Sequence, residues 1–65
     1  MELIVNGESQ DVDAETLAAL MLTLDYQGSW LATAVNGEVV PARERDRCAL
    51  AEGDRIEILS PMKGG

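Results

Sequence analysis

The sequence predicts an α+β fold in which a mixed sheet of four to five strands packs against one main helix. Three observations predict it. Two Asn-Gly dipeptides each separate short segments of strand character. Leucine and methionine residues recur at helical spacing in one segment, and apolar and polar residues alternate in the last apolar segment, as in a strand. Asn-Gly suits the positive φ angles of a two-residue hairpin turn. At 65 residues the chain has room for one small core.

The first hairpin is predicted at residues 1–12. Apolar and other side chains alternate over residues 1–5, as in a strand with one buried face: Met1, Leu3 and Val5 lie on one side, and Glu2 and Ile4 on the other. Asn6-Gly7 is predicted to form a type I′ turn. Residues 9–12 then return as a short partner strand.

One segment has the periodicity of a helix. Apolar residues fall at i, i+3, i+4 and i+7, which places them on a single stripe: Leu17, Leu20, Met21 and Leu24. Asp13 is predicted to cap this helix, with Glu15 in the first turn, where the helix dipole favours negative charge. Residues 25–29 form the exit loop, which contains Gly28.

A second hairpin is predicted in the middle of the chain. Residues 30–35 have strand character, Asn36-Gly37 forms the turn, and residues 38–40 return until Pro41 ends the pairing.

The next segment is a charged connection, predicted to be irregular or a single helical turn. Residues 42–48 alternate in the sign of their charges and are interpreted as a solvated loop; the alternative is a recognition patch for a partner. Leu50 should anchor the loop in the core. Glu52-Gly53-Asp54 predicts a tight turn before the last strand at residues 55–59.

These elements combine in one arrangement if the first and last strands pair in parallel, so that the helix covers one sheet face. The apolar stripe would then meet Leu3, Val5, Val12, Val35, Leu50, Ile56 and Ile58. That arrangement is the β-grasp, or ubiquitin-like, roll. Residues 1–65 are expected to form a single domain, with a globular body at 1–59 and an extended, flexible C-terminal tail at 60–65.

The composition excludes several function classes. The net charge of −7, from 12 acidic and 5 basic residues, argues against nucleic acid and anionic membranes as partners. It would steer the protein toward a basic docking face, or it only keeps a small protein soluble. The chain has no histidine, the commonest general base and metal ligand, and its single cysteine cannot form an internal disulfide. We expect no catalytic side chain, no metal site and no bound cofactor. The apolar stretches are too short to cross a bilayer, and we expect a cytoplasmic protein.

The last two residues are Gly64-Gly65. Glycines lack a β-carbon, so they can pass through a narrow enzyme channel and present a carboxylate to a partner's active site. Terminal glycines also occur in frayed tails, which is the alternative interpretation.

Four segments together resemble the ThiS family, the small sulfur carriers of the thiamine pathway. They are Val5-Asn6-Gly7-Glu8, the segment from Val35 to Pro41, the segment from Glu52 to Ile58, and Gly64-Gly65. The resemblance covers all 65 residues in matching order and spacing.

The resemblance implies a mechanism in which partner enzymes supply the catalytic groups. A ubiquitin-activating-like adenylyltransferase (ThiF type) uses ATP to adenylate the carboxylate of Gly65. Sulfur from a persulfide relay displaces AMP, and the thiocarboxylate delivers sulfur to a thiazole synthase (ThiG type). Met62, Lys63 and Gly64 would thread into the partner's active site, although the favoured interpretation of the Lys63 side chain is that it is solvated.

Two further features each have a structural and a functional interpretation. The sheet face opposite the helix is predicted to carry an apolar docking patch, as an alternative to scattered surface apolar residues: Ile4, Ala32, Ala34 and Leu59. Cys48 is interpreted as structural or incidental; the alternative is a thiol activated by the neighbouring arginines, which can lower a thiol pKa.

Three other functions remain open from the sequence. The small subunit of molybdopterin synthase has the same fold and tail but is usually longer. A ubiquitin-like protein modifier would conjugate the glycine to lysines. A passive β-grasp interaction module would use the sheet and not the tail.

Overall fold

A computed structural model describes residues 1–28 and 30–60 of the chain. It contains five strands: β1 (Glu2–Val5), β2 (Glu8–Asp11), β3 (Ala32–Val35), β4 (Glu38–Val39) and β5 (Arg55–Leu59). One α-helix, α1, spans Leu17–Thr23, and a 3₁₀ helix spans Ala42–Arg47. None of the helices in the described residues is long and apolar enough to span a membrane.

The five strands form one mixed sheet in the order β2-β1-β5-β3-β4. The first and last strands pair in parallel, with Val5 opposite Ile56, and every other pair is antiparallel. The predicted mixed sheet and its central parallel pair are therefore confirmed. β5 lies in the middle of the sheet, between β1 and β3.

Both Asn-Gly dipeptides form the predicted hairpin turns. Asn6 and Gly7 have φ angles of 52° and 83°, and Asn36 and Gly37 have 52° and 85°. Positive φ at both central positions defines a type I′ turn, whose twist matches that of the flanking strands. The return strands are shifted slightly from prediction, since β2 begins at Glu8 and β4 ends at Val39.

The core lies between α1 and one face of the sheet. Leu17 and Leu20 of α1 and Leu3 of β1 are fully buried, and Ile56 of β5 is 1% exposed. Each such side chain stabilises the fold by about 1.5–3 kcal/mol relative to an exposed one. The predicted stripe and its partners are confirmed, with Leu24, Val12 and Val35 packed at the margin of the core.

The predicted start of the helix is wrong. Thr16, rather than Asp13, is the N-cap, and its Oγ1 accepts a hydrogen bond from the backbone N–H of Ala19 at 3.2 Å. Glu15 precedes the helix, where its carbonyl accepts a hydrogen bond from the N–H of Leu50 at 2.9 Å. A backbone bridge between Thr16 and Ala49 keeps this segment extended. Pairing with a distant segment therefore outweighs the local preference for a cap at Asp13.

The helix ends at Thr23, five residues before Gly28 and just ahead of the predicted exit loop at residues 25–29. The N–H of Tyr26 donates to the carbonyl of Met21 at 2.7 Å, and the N–H of Asp25 donates to Leu22 at 3.2 Å. These are the two hydrogen bonds of a Schellman motif. Asp25 holds the left-handed position, with φ of 65°. Gly28 lies in the loop beyond, with φ of 123°, where the ring of Trp30 occupies the space that a β-carbon would need.

The charged connection is more ordered than predicted. It is a 3₁₀ helix, and Arg45 within it is 8% exposed rather than solvated. Its Nε donates to Thr33 Oγ1 at 3.1 Å, and its Nη2 donates to the carbonyl of Leu31. The guanidinium supplies several donors on a long apolar stem, so it can pack inside while satisfying acceptors on the approach to β3.

The segment before β5 forms as predicted. Leu50 is buried, with 8% of its surface exposed. The N–H of Asp54 donates to the carbonyl of Ala51 at 3.0 Å, and Gly53 has φ of 86° at the third position of the turn. Positive φ at that position is typical of a type II turn and favours glycine.

Candidate functional site

The sheet face that points away from α1 is the candidate docking surface, called here the outer face. Along β5, Ile56 and Ile58 are buried against the helix, whereas the alternate residues point outward. The outward set consists of Arg55, Glu57 and Leu59. Leu59 is 61% exposed, which is unusual for a large apolar side chain at the centre of a sheet.

The strand register brings the four predicted patch residues onto this outer face. Ala32 lies directly opposite Leu59, Ala34 lies opposite Glu57, and Ile4 lies opposite Arg55. Residues paired across two strands project to the same side of the sheet. Ala32 is exposed, while Ile4 and Ala34 are half-buried. Their common placement agrees with the sequence analysis; a docking role for them remains a prediction.

Val39 belongs to the same surface and was missed by the sequence analysis. It lies opposite Ala34 in the β3–β4 hairpin and is 79% exposed. A two-residue turn at Asn36-Gly37 fixes that register, because the residues that flank the turn must pair in order. The turn dipeptide could therefore have identified Val39.

A shallow hollow of about 260 Å³ lies on the outer face. It is lined by Ala32, Ala34, Val39 and Leu59, with Glu57 and Gly37 beside them, whereas Ile4 lies outside it. The small alanine side chains leave room there for an apolar side chain of a partner. A partner that fills the hollow would contact the last strand of the sheet.

In the sequence, the predicted sulfur-carrying residue and the predicted tail come directly after Leu59, the last outer-face residue of β5. Leu59 ends β5, and Ser60 is exposed. Met62, Lys63, Gly64 and Gly65 lie outside the described residues. Their assigned roles therefore remain predictions.

The environment of Cys48 favours the structural or incidental interpretation over an activated thiol. Partial burial, and to a smaller extent the negative charge of Asp54, raise the pKa of the Cys48 thiol above its ordinary value. Burial disfavours the thiolate because it removes water that would solvate the charge. Nearby arginines do not reverse this effect. Cys48 is accordingly a poor nucleophile at neutral pH.

Alkylation of Cys48 by iodoacetamide should test this assignment. The reaction of the folded protein should have a midpoint at higher pH than the same reaction in denaturant, because only the thiolate reacts. The rate below pH 8 should be correspondingly lower in the folded state. A midpoint at lower pH in the folded protein would show that the arginines dominate.

The described residues offer few groups for direct chemistry. Among residues 1–28 and 30–60, no cluster of three or more histidine, cysteine, aspartate or glutamate side chains could hold a metal ion.

Comparisons with known proteins agree with this geometry. The ThiS family model matches residues 3–65. The crystal structure of the thiamine biosynthesis protein ThiS from Geobacter metallireducens has a TM-score of 0.83 to this chain and 35% identity, with 100% of both chains covered. An NMR solution structure of a thiamine biosynthesis protein from the same organism has a TM-score of 0.80 and 30% identity, covering 100% of this chain and 88% of the other.

A longer protein also contains a similar segment. The thiazole synthase of Paramagnetospirillum magneticum is 33% identical to this chain over 66 residues. The alignment takes in 100% of this chain and 20% of the relative, so the chain spans about a fifth of that protein's length.

Proposed function

This chain belongs to the ThiS family, and from that membership we propose that it is a sulfur carrier of thiamine biosynthesis whose sulfur rides on the carboxylate of Gly65. The observation that carries the proposal is that the family match extends through residue 65. The protein is then a co-substrate of its partner enzymes rather than an enzyme.

The proposed chemistry follows from the nature of a carboxylate, which is a weak electrophile because its charge is shared by two oxygens. A ThiF-type adenylyltransferase joins the carboxylate to AMP and releases pyrophosphate from ATP. The mixed anhydride has a good leaving group, so the outer sulfur of a persulfide can displace AMP and form an acyl disulfide. A second thiol then attacks the inner sulfur of the donor, which releases the thiocarboxylate on Gly65 and leaves the donor in a disulfide. ATP is bound by the partner, and the carrier needs no cofactor of its own.

The geometry of β5 supports a mechanism in which the partner supplies the active site and this chain supplies the reacting carboxylate. The strand presents Leu59 on the outer face and leads directly to Ser60. An extended chain advances ~3.3 Å per residue, so residues 60–65 can span roughly 20 Å. A partner docked on the outer face can therefore receive Gly65 in an active site at that distance. The absence of a β-carbon at Gly64 and Gly65 suits a narrow channel, with Met62 and Lys63 following behind.

The proposed acceptor of the sulfur is a thiazole synthase of the ThiG type. The support is that a segment similar to this whole chain occurs within a polypeptide named thiazole synthase. A carrier and an acceptor that work in sequence gain effective concentration when they are joined. In the present case we propose that the two associate through the outer face.

Intact-mass measurement tests the carrier function. The chain is incubated with the adenylyltransferase, MgATP, a persulfide donor and a thiol reductant that cleaves the acyl disulfide, and replacement of one carboxylate oxygen by sulfur is the expected product. Retention of the unmodified mass, with active partner enzymes, would contradict the proposal. Transfer of Gly65 to a lysine would instead indicate a protein modifier, and delivery of sulfur to a pterin precursor would indicate molybdopterin synthesis.

Leu59→Asp should weaken docking to the adenylyltransferase by about tenfold or more, because it places a charge against the apolar hollow of the outer face. Titration calorimetry measures the change in Kd, and circular dichroism verifies folding.

Leu22→Asp is the matched control for this docking test. Leu22 is 73% exposed and lies on α1, which covers the opposite sheet face. It should leave the Kd unchanged. Equal affinities for the Leu59→Asp variant and the unsubstituted protein would exclude the outer face as the docking surface.

A further inference from the structure

The side-chain amide of Asn6 makes a contact that its hairpin turn does not require. The N–H of Ile58 donates to Asn6 Oδ1 at 2.9 Å, and Asn6 Nδ2 donates to the carbonyl of Ile58 at 3.2 Å. One amide thus satisfies both backbone groups of a single residue of β5. The type I′ turn itself needs only positive φ, which aspartate or glycine also provides.

This contact extends the parallel ladder past the point where β1 leaves the sheet. The last backbone hydrogen bond in that region runs from the N–H of Asn6 to the carbonyl of Ile56, at 2.9 Å. The chain then turns away at Gly7, while β5 continues for three more residues. On its other side β5 stays paired with β3 as far as Leu59. The Asn6 amide therefore holds the end of β5 on the side that β1 has vacated.

Tyr26 connects the same amide to the end of α1. Asn6 Nδ2 lies 3.3 Å from the hydroxyl oxygen of Tyr26, to which it also donates. Tyr26 is fixed in turn by the Schellman motif, through its N–H and the carbonyl of Met21. The helix, the first hairpin turn and the last strand thus meet at one side chain. Ile58, which that side chain holds, lies two residues before Ser60.

The second hairpin supplies a natural comparison. Asn36 Oδ1 accepts from the N–H of Arg55 at 3.0 Å, and Asn36 Nδ2 donates to Asp54 Oδ1 at 3.0 Å. Asn36 has the same φ angle and is followed by the same residue type as Asn6. It holds the beginning of β5, whereas Asn6 holds the end. Substitution of Asn6 should therefore affect the end of β5, where the chain leaves the sheet, whereas substitution of Asn36 should affect only its beginning.

We propose that Asn6, seated by Tyr26, is a positioning residue that fixes the direction in which the chain leaves β5 relative to the outer face. The proposal rests on the proposed function, because that direction matters when a partner binds the outer face and reacts with Gly65. Misplacing a reacting group by about 1 Å can lower a rate by about 100-fold. Asn6 would then act on the rate of adenylation and not on docking.

The first test needs no partner enzyme. Asn6→Gly keeps the turn and removes the amide, and Asn36→Gly is the matched control. Amide hydrogen exchange should become about tenfold faster or more at Ile58 in the Asn6→Gly variant, relative to Arg55, and the reverse order should hold in Asn36→Gly. The residual dipolar couplings of Leu59 and Ser60 should change only in Asn6→Gly. Unchanged exchange and couplings at these residues would overturn the proposal.

The second test uses the adenylyltransferase with MgATP and follows pyrophosphate release. Asn6→Gly should lower kcat by about tenfold or more while the KM for the carrier stays within about twofold, and Asn36→Gly should change neither. Asn6→Asp keeps an acceptor for the N–H of Ile58 but loses the donor, so its kcat should be intermediate. Equal losses in both glycine variants would indicate a loss of stability and overturn the positioning role.

The two tests separate the two proposals. If the unsubstituted protein is never adenylated, the proposed function fails, and the exchange and coupling data still decide whether Asn6 directs the exit of β5. If adenylation proceeds and Asn6→Gly retains the full kcat, the positioning role fails and the proposed function stands.

Discussion

A chain extended by one alanine after Gly65 is expected to form no detectable thiocarboxylate. The new terminal carboxylate lies one residue further along, a displacement of ~3.3 Å, and its residue carries a β-carbon. Since a misplacement of about 1 Å can cost about 100-fold in rate, a shift of this size should remove the reaction from the measurable range. Intact mass after incubation with the adenylyltransferase, MgATP and a persulfide donor is the measurement.

Two companion measurements make the extension experiment specific. Titration calorimetry should give an unchanged Kd for the extended chain, because the outer face is untouched. Cys48→Ser should still gain sulfur, because the thiol has a raised pKa and plays no part in the proposed transfer. Sulfur on the extended chain, or its loss in Cys48→Ser, would place the carrier group elsewhere than on Gly65.

Local patterns predict most of this fold because most of its elements obey local rules. The Asn-Gly turns need positive φ angles that few other dipeptides supply, and both hairpins form where those dipeptides occur. The apolar stripe of α1 and the alternation of β5 report which face is buried. The helical and strand periodicities depend only on residues close in sequence, so these elements can be predicted without knowing how the rest of the chain packs.

The errors occur where distant segments decide the outcome. Asp13 is a good local cap, but pairing of Thr16 with Ala49 holds Thr16 in an extended conformation, so the helix starts only after it. Similarly, nothing in the charged connection distinguishes Arg45 from its neighbouring arginines. Its burial depends on the acceptors that Leu31 and Thr33 place beside it, which are fixed only when β3 has joined the sheet.

In the candidate site, too, local patterns predict some features, while others depend on contacts between distant segments. Alternation along β1 and β5 predicts that Ile4 and Leu59 share a face, and the hairpin register adds Val39. The second role of Asn6 was hidden because the turn already accounts for an asparagine before glycine. Only the parallel pairing of β1 with β5 brings its amide to Ile58.

Leu20→Ala is expected to destabilise the fold by about 3 kcal/mol. Leu20 is fully buried at the centre of the α1 stripe, so its truncation removes buried apolar surface and leaves a cavity. A single core in a domain of this size rarely supplies more than about 3–5 kcal/mol. The variant should therefore be substantially unfolded in buffer at 25 °C, as urea titration followed by circular dichroism would measure.

Leu22→Ala tests whether this loss comes from the core or from the helix itself. Both leucines lie within α1, so the substitution changes intrinsic helix propensity by the same small amount in each case. Leu22 is 73% exposed, and its truncation should cost no more than about 0.5 kcal/mol. Equal destabilisation by the two substitutions would contradict the packing of α1 on the sheet. Because partners would recognise the assembled outer face, Leu20→Ala should also lower adenylation in proportion to its folded fraction, whereas Leu22→Ala should leave it unchanged.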